Sequence, residues 1–292
     1  YAWVITDDST DADVDVTGGT LTLGLAGYNG TLTLAIDDAL TVDDGGAMNV
    51  RLGNGVACGG LAVVGDTGSG ALAIESGDSV SNTFGFVGYS SGGTGTVTID
   101  GGTWTNSGGL SVGYYGNGTL DVTGSGEVSS TGGYIGGYGS SSGTVTVDGG
   151  TWTNAGAVYV GYFNDGTLNV TGGGSVSNTT GFVGYDSDAT GTVTVQDENS
   201  AWHNADNLYL GGTSTEDGGD ASVTVSDGGR LYVGDIDPAT VGVAASDSAV
   251  VVSNSGASGG ELLLRTGATL DNDGPAYLGY NRSEEHTSEL QS

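Results

Sequence analysis

Apolar and polar residues alternate along most of this chain, in short runs that glycine-rich corners separate. Typical runs are Thr96 to Ile99 and Leu110 to Val112. Alternation with a period of two predicts half-buried β-strands, and no stretch shows the 3.6-residue apolar period of a helix. Gly-Gly, Gly-Asn and Asp-Gly pairs supply the positive φ angles that sharp corners need. The pattern therefore predicts an all-β chain.

The strand pattern also repeats. The sequence GTVTIDGGTWTN begins at Gly95 and returns, with one change, 48 residues later at Gly143. A second variant, GTLDV at Gly118 and GTLNV at Gly166, alternates with the first, so the unit is about 24 residues. Three short strands and three corners in such a unit form one coil of a parallel β-helix, whereas propeller blades need about 40 to 50 residues. We predict a single β-solenoid of about eleven or twelve coils over residues 1–281, regular over about 70–234 and degenerate in its flanks.

Stacked coils place equivalent residues about 4.8 Å apart, so the repeat predicts columns of side chains. The first strand gives two inward aliphatic columns, through Val97 and Ile99. The second strand alternates large and small residues, which fills the interior evenly, and two positions further on a polar column predicts hydrogen bonds between layers. The second-strand columns read Val80, Trp104, Val128, Trp152, Val176, Trp202 and Asn82, Asn106, Ser130, Asn154, Asn178, Asn204.

Composition and net charge limit the classes of partner that the chain is expected to bind. The chain has 60 glycines, 4 basic residues against 35 acidic ones, and a net charge of −31. Such a charge argues against nucleic acid or an anionic membrane as partner and suits an exported, self-repelling surface. The single cysteine, Cys58, excludes an intramolecular disulfide, and no signal peptide or transmembrane run is present. We interpret the chain as an internal, monomeric fragment of a longer protein.

The last eleven residues, 282–292, differ from the rest. They lack glycine and repeat identity, and they match the translation of a common sequencing adapter. We therefore expect the biological sequence to end near Asn281, with an artefactual tail after it.

The alternating units with their Val-Gly-Tyr signature, as at Val112 to Tyr114, resemble the β-strand repeats of bacterial autotransporter passenger domains and related cell-surface repeat proteins. The resemblance covers about residues 70–234. It implies a right-handed parallel β-helix, export, and display outside the outer membrane. It also implies a separate anchor, either a barrel or a sorting tag, that this fragment does not contain.

No constellation of residues predicts catalysis. The enzyme alternative is a polysaccharide lyase or hydrolase, which needs a local cluster of either paired carboxylates or an aspartate with Ca²⁺ and a basic residue. Here the aspartates are spread about one to a coil, at corners as Asp100 and Asp148 are or opposite the core as Asp121 is. His203 stands where the repeats have Thr105 and Thr153, which predicts a surface replacement. An ice-binding array of outward Thr-X-Thr pairs is a second alternative, interrupted by positions such as Asp121.

The sequence predicts no cofactor. The acidic residues Asp37, Asp38, Asp43 and Asp44 are expected at solvated corners, with loose Ca²⁺ binding as the alternative.

Adhesion is a third hypothesis, through an outward column on the third strand. Side chains alternate between the two faces of a strand, so the residue before the inward-facing Val112 is expected to face outward. The equivalent positions of the successive coils are Phe86, Ser111, Ile135, Tyr159, Phe182, Tyr209 and Tyr232. An exposed aromatic stripe can stack on sugar rings or dock a protein; alternatively, the rings only cover the backbone. We expect a structural or adhesive surface segment, with host or community glycans or surface proteins as partners.

Overall fold

The computed structural model describes residues 14–23, 33–36, 38–51, 54–213 and 218–234, together with the backbone of the later strands. Residues 1–13, Asp37 and Asn281 lie outside the described residues, as does all of the predicted tail except Ser288 and Glu289.

The described residues form strands and corners without any helix. The strands before the regular coils are β1 (Val14–Thr17), β2 (Thr20–Leu23), β3 (Thr33–Ile36), β4 (Leu40–Asp43), β5 (Gly46–Val50), β6 (Gly55–Cys58) and β7 (Leu61–Val64). Those of the regular coils are β8 (Ser69–Glu75), β9 (Ser79–Asn82), β10 (Phe84–Val87), β11 (Thr94–Asp100), β12 (Thr103–Asn106), β13 (Gly109–Val112), β14 (Asn117–Thr123), β15 (Glu127–Ser130), β16 (Gly132–Ile135), β17 (Ser142–Asp148), β18 (Thr151–Asn154), β19 (Val158–Val160), β20 (Asp165–Thr171), β21 (Ser175–Asn178), β22 (Gly181–Val183), β23 (Thr190–Gln196), β24 (Ala201–Asn204), β25 (Leu208–Leu210), β26 (Asp220–Ser226) and β27 (Arg230–Val233). The last are β28 (Val250–Ser253), β29 (Gly260–Leu264), β30 (Thr269–Asn272), β31 (Ala276–Tyr280) and β32 (Ser288–Glu289).

Each strand up to β28 pairs in parallel with the strand three places further along, which is the topology of a solenoid. Sheet 1 runs from β2 through β5 and β8 to β29, sheet 2 from β3 through β6 and β9 to β30, and sheet 3 from β1 through β4 and β7 to β31. At the end of sheet 3, β31 pairs antiparallel with β32. The parallel β-solenoid and its period of roughly 24 residues are confirmed. Among the described strands, sheets 1 and 2 contain ten strands each, against the eleven or twelve coils predicted for residues 1–281.

The core consists of the predicted columns. In sheet 1, Val97 pairs with Leu72 and Leu120, while Ile99 pairs with Ile74 and Val122, and all six side chains are buried. In sheet 2, every tryptophan lies between smaller residues of the adjacent coils. The column reads Val56, Val80, Trp104, Val128, Trp152, Val176, Trp202, Leu231. The regular period thus builds a continuous interior from alternating volumes.

The predicted polar column is buried and hydrogen-bonded between coils. Asn178 Nδ2 donates to Asn204 Oδ1 at 2.7 Å, and Asn82 Nδ2 donates to Asn106 Oδ1 at 2.7 Å. The column also accepts from the tryptophans, because Trp202 Nε1 donates to Asn178 Oδ1 at 2.7 Å. The same bond recurs from Trp104 to Asn82 and from Trp152 to Ser130. These side chains satisfy the indole N–H groups, which need partners inside an apolar core.

Candidate functional site

The outward column of sheet 3 is largely the one that the sequence predicts. Phe86 pairs with Ser111, Tyr159 pairs with Phe182, and Phe182 pairs with Tyr209. Each ring in this column is partly exposed, while the residues before and after it are buried. The structure therefore places Phe86, Ser111, Tyr159, Phe182 and Tyr209 in one line.

The assignment of Ile135 to this column is wrong. Ser111 pairs with Tyr134, whereas Ile135 pairs with Val112 and is fully buried. The left-handed glycine that follows each sheet 3 strand of the regular coils shows why, because Gly136 at φ 75° is equivalent to Gly113 at φ 77°. The two glycines are 136 − 113 = 23 residues apart, one fewer than the nominal period of about 24. Counting a full 24 residues places the strand one residue too late, and a slip of one residue exchanges its two faces.

The assignment of Tyr232 is also wrong, because its strand belongs to sheet 2. Tyr232 pairs with His203 and not with Tyr209. The two rings stack with their centroids 4.3 Å apart and their planes 11° apart. Burial of the half-buried imidazole lowers the pKa of His203 below its ordinary value. The register of His203 with Ser177 agrees with the predicted replacement of a surface residue.

Two further columns of rings lie at the corner that follows sheet 3. The alternation of inward and outward side chains along a strand does not predict them, because they lie beyond the strand ends. The tyrosine of the Val-Gly-Tyr signature forms one of them, as the backbone bonds from Tyr114 to Gly88 and from Tyr185 to Gly161 show. The next position forms the other, where Tyr115 N donates to the carbonyl of Tyr89 and Tyr138 N to that of Tyr114. The recurrence of an aromatic residue directly after Gly-Tyr, as in Tyr115 and Phe163, is the signal in the sequence that could have revealed it.

Together the three columns make one continuous aromatic face. Its twelve rings are Phe86, Tyr89, Tyr114, Tyr115, Tyr134, Tyr138, Tyr159, Tyr162, Phe163, Phe182, Tyr185 and Tyr209. We call this surface the aromatic face.

Rings along one column of the aromatic face stack nearly in parallel. Tyr159 lies 4.7 Å from Phe182 at 6°, and Phe182 lies 5.1 Å from Tyr209 at 9°. Rings of different columns meet edge to face, as Phe182 and Tyr185 do at 86°. Both arrangements are favourable, at about 0.5 to 1.5 kcal/mol per pair beyond the buried area. The face is therefore an ordered surface rather than a scatter of separate aromatic side chains.

Three phenol groups of the aromatic face have a raised pKa. Burial, followed by the neighbouring tyrosines, raises the pKa of Tyr162 to about 12. Burial also raises the pKa of Tyr159 and of Tyr114 above the ordinary value. The rings of the aromatic face lie close together, so the surface is apolar with a fringe of hydroxyl groups.

The acidic residues singled out for Ca²⁺ do not share one environment. Asp43 is buried, and its carboxylate accepts from the backbone N–H groups of Thr67 at 3.0 Å and Gly68 at 2.9 Å in the next coil. Burial raises the pKa of Asp43, but these hydrogen bonds outweigh it and leave the pKa lowered. Asp38 and Asp44 are exposed. Within the described part of the chain, no three His, Cys, Asp or Glu side chains form a group that could hold a metal ion.

Comparisons with known proteins give a weak structural similarity. No protein-family model matches the chain, and no curated protein matches it. A solved structure does resemble it. That structure is a crystal structure of a TibC-catalyzed hyper-glycosylated TibA55-350 fragment. The two share 16% identity over 91% of this chain and 93% of the other, with a TM-score of 0.28. At these values the likeness does not bear on function.

Within the described residues, no helix has the length and apolarity needed to cross a bilayer.

Proposed function

We propose that this chain is a structural and adhesive extracellular segment of a bacterial surface protein, without a catalytic site, and that the aromatic face is its contact surface. The single observation that carries the proposal is the continuity of twelve ordered rings along one edge of the solenoid. Large contiguous apolar patches on soluble proteins mark interaction sites. Aromatic side chains are also the residues that contribute most to binding where they are rigid.

The architecture supports the same role. A rigid solenoid presents an extended surface at a distance from whatever anchors it, because each coil contacts only its neighbours and adds to its length. The net charge of −31 keeps such a surface soluble. It also disfavours acidic glycans, so we expect neutral glycans or surface proteins as partners.

The test removes rings from the aromatic face without touching the core. Tyr159, Phe182 and Tyr209 are changed together to serine, and binding of the purified chain to cultured cells and neutral glycans is measured. Binding is expected to fall at least about tenfold, because the variant interrupts the stacked column in three successive coils.

The matched control changes Thr144, Thr167 and Thr192 to serine. These residues lie on the outer side of sheet 1 in the same three coils and are partly exposed. The control should bind as the native chain does. Unchanged binding in the aromatic variant, with its circular dichroism intact, would contradict adhesion and leave only a spacer. Cleavage of an acidic polysaccharide by the purified chain would contradict the absence of catalysis.

A further inference from the structure

The aromatic face stays connected but has a recess where two successive coils carry a small residue in place of a ring. Ser111 lies between Phe86 and Tyr134 in the outward column. Gly137 occupies the signature-tyrosine position between Tyr114 and Tyr162 in the corner column. The two absent rings leave a notch of about 240 Å³.

Four tyrosines form the walls of this notch, and neighbouring walls are steeply inclined to one another. Tyr138 lies 5.5 Å from Tyr114 at 85° and 6.2 Å from Tyr162 at 76°. Tyr134 lies 5.2 Å from Tyr162 at 57°. This arrangement differs from the flat column of Tyr159 and Phe182. A flat sugar ring stacks best on coplanar rings, whereas inclined walls contact a rounded guest from several sides.

The charge of the surroundings favours a cation in the notch. The chain has no lysine and a net charge of −31, so its long-range field attracts positive ions. No basic residue lines the notch. In the described part of the chain, Arg51 pairs with Glu75 at 3.0 Å, and Arg230 lies on sheet 2. At short range, the negative faces of tyrosine rings attract a cation within about 6 Å.

No carboxylate lines the notch, and this favours a quaternary ammonium over a primary ammonium. A primary ammonium such as that of lysine is strongly hydrated and has three hydrogen-bond donors to satisfy. A quaternary ammonium has no donor, so neutral rings alone can replace the water around it. Clusters of aromatic rings recognise quaternary ammonium ligands in this way. The volume is below the roughly 300 Å³ at which pockets for drug-sized ligands begin, so it suits a compact head group.

We propose that the notch formed by Tyr114, Tyr134, Tyr138 and Tyr162 binds a quaternary ammonium group of the choline class. This site does not depend on the adhesive function of the whole aromatic face. Choline binding and cell binding are separate measurements, and Ser111→Tyr, described below, leaves the rings of the adhesion test in place.

The direct test compares choline with 3,3-dimethyl-1-butanol, its neutral isostere in which carbon replaces the charged nitrogen. Each is titrated into the full chain by calorimetry. Choline is expected to bind at least about tenfold more tightly, and added salt should weaken its binding. Equal binding of the two compounds would overturn the proposal and leave an apolar notch. Binding of methyl glucopyranoside in preference to choline would overturn it in favour of a sugar site.

The sharpest variant fills the notch without removing a wall. Ser111→Tyr places a ring between Phe86 and Tyr134, which completes the stacked column. Choline binding is expected to fall at least about tenfold while the circular dichroism stays unchanged. Tyr209→Ser is the control, because it removes a ring of the aromatic face that does not line the notch. Choline binding that survives in a folded Ser111→Tyr variant would overturn the proposal.

A second variant tests the same proposal independently of whether Ser111→Tyr folds. Tyr138→Leu retains apolar bulk in the wall but removes the aromatic quadrupole. The preference for choline over its neutral isostere should therefore drop at least about threefold. An unchanged preference would show that the rings do not act on the charge, and the proposal would fail.

Discussion

Replacing Trp152 with alanine is expected to lower the free energy of unfolding by about 3 to 5 kcal/mol. The indole is fully buried, and it lies between Val128 and Val176 of the adjacent coils. Its N–H donates to Ser130 at 3.2 Å. The parallel ladders on three sides hold the coils at a fixed spacing, so the backbone cannot collapse into the hole. Equilibrium unfolding in urea measures the effect.

Thr146→Ala is the control for this change. Thr146 lies on the outer side of sheet 1, where it pairs with Asp121 and is partly exposed. Its replacement should change the free energy of unfolding by no more than about 0.5 kcal/mol. Equal losses in the two variants would show that the inner and outer faces of the coil are assigned the wrong way round.

Replacing Asn178 with leucine is expected to cost about 2 to 4 kcal/mol, although leucine has a similar volume and is more apolar. Asn178 is 5% exposed and joins two neighbours, since it accepts from Trp202 and donates to Asn204. Leucine leaves the indole N–H of Trp202 and the side-chain oxygen Oδ1 of Asn204 without these partners. Each buried polar group that loses its hydrogen bond costs about 1 to 3 kcal/mol of stability. Urea unfolding again measures the loss.

Asn169→Leu makes the same substitution on the outer side of sheet 1. Asn169 pairs with Thr146 and Thr194 there and is partly exposed. We expect a change within about 0.5 kcal/mol. If Asn178→Leu were as stable as the native chain, the polar column would contribute apolar packing only, and its hydrogen bonds would not matter for stability.

The interior of this solenoid is predictable from the sequence because the period fixes it. Once Gly95 and Gly143 are recognised as equivalent, Val97, Trp104 and Asn106 must lie in columns with their counterparts. Strand alternation then assigns each residue to the inside or the outside. The predicted columns of sheet 1 and, as far as Asn204, of sheet 2 are confirmed for this reason.

Prediction failed where the sequence allows two alignments. The run from Gly132 to Tyr138 contains two Gly-Gly pairs around Tyr134 and Ile135, so the signature can be placed one residue too late. The left-handed conformation of Gly136 and the pairing of Ile135 with Val112 resolve the choice. The strand of Tyr232 resembles a sheet 3 strand in sequence, but it follows β26 after a three-residue corner and therefore takes the sheet 2 position.

The two columns of rings at the corner after sheet 3 were not predicted from the sequence, for a different physical reason. Strand parity orients side chains only within a strand, and Tyr115, Tyr138 and Phe163 lie beyond the strand ends. Their directions depend on the glycine turn that precedes them, through φ angles such as 77° at Gly113. The notch follows from the same local geometry, so the sequence pattern predicted a stripe where the structure has a broad face.

The register of sheet 3 is the central claim, because both the aromatic face and the notch depend on Tyr134, rather than Ile135, lying beside Ser111. Cysteine pairs test it in a Cys58→Ser background. Paired residues on parallel strands are about 4.8 Å apart, which a disulfide can span. Ser111→Cys with Tyr134→Cys should form a disulfide under mild oxidation, as seen by mass spectrometry of the unreduced digest. Ser111→Cys with Ile135→Cys should stay reduced, because position 135 faces the core. A disulfide in the second pair and none in the first would contradict the register and, with it, the aromatic face.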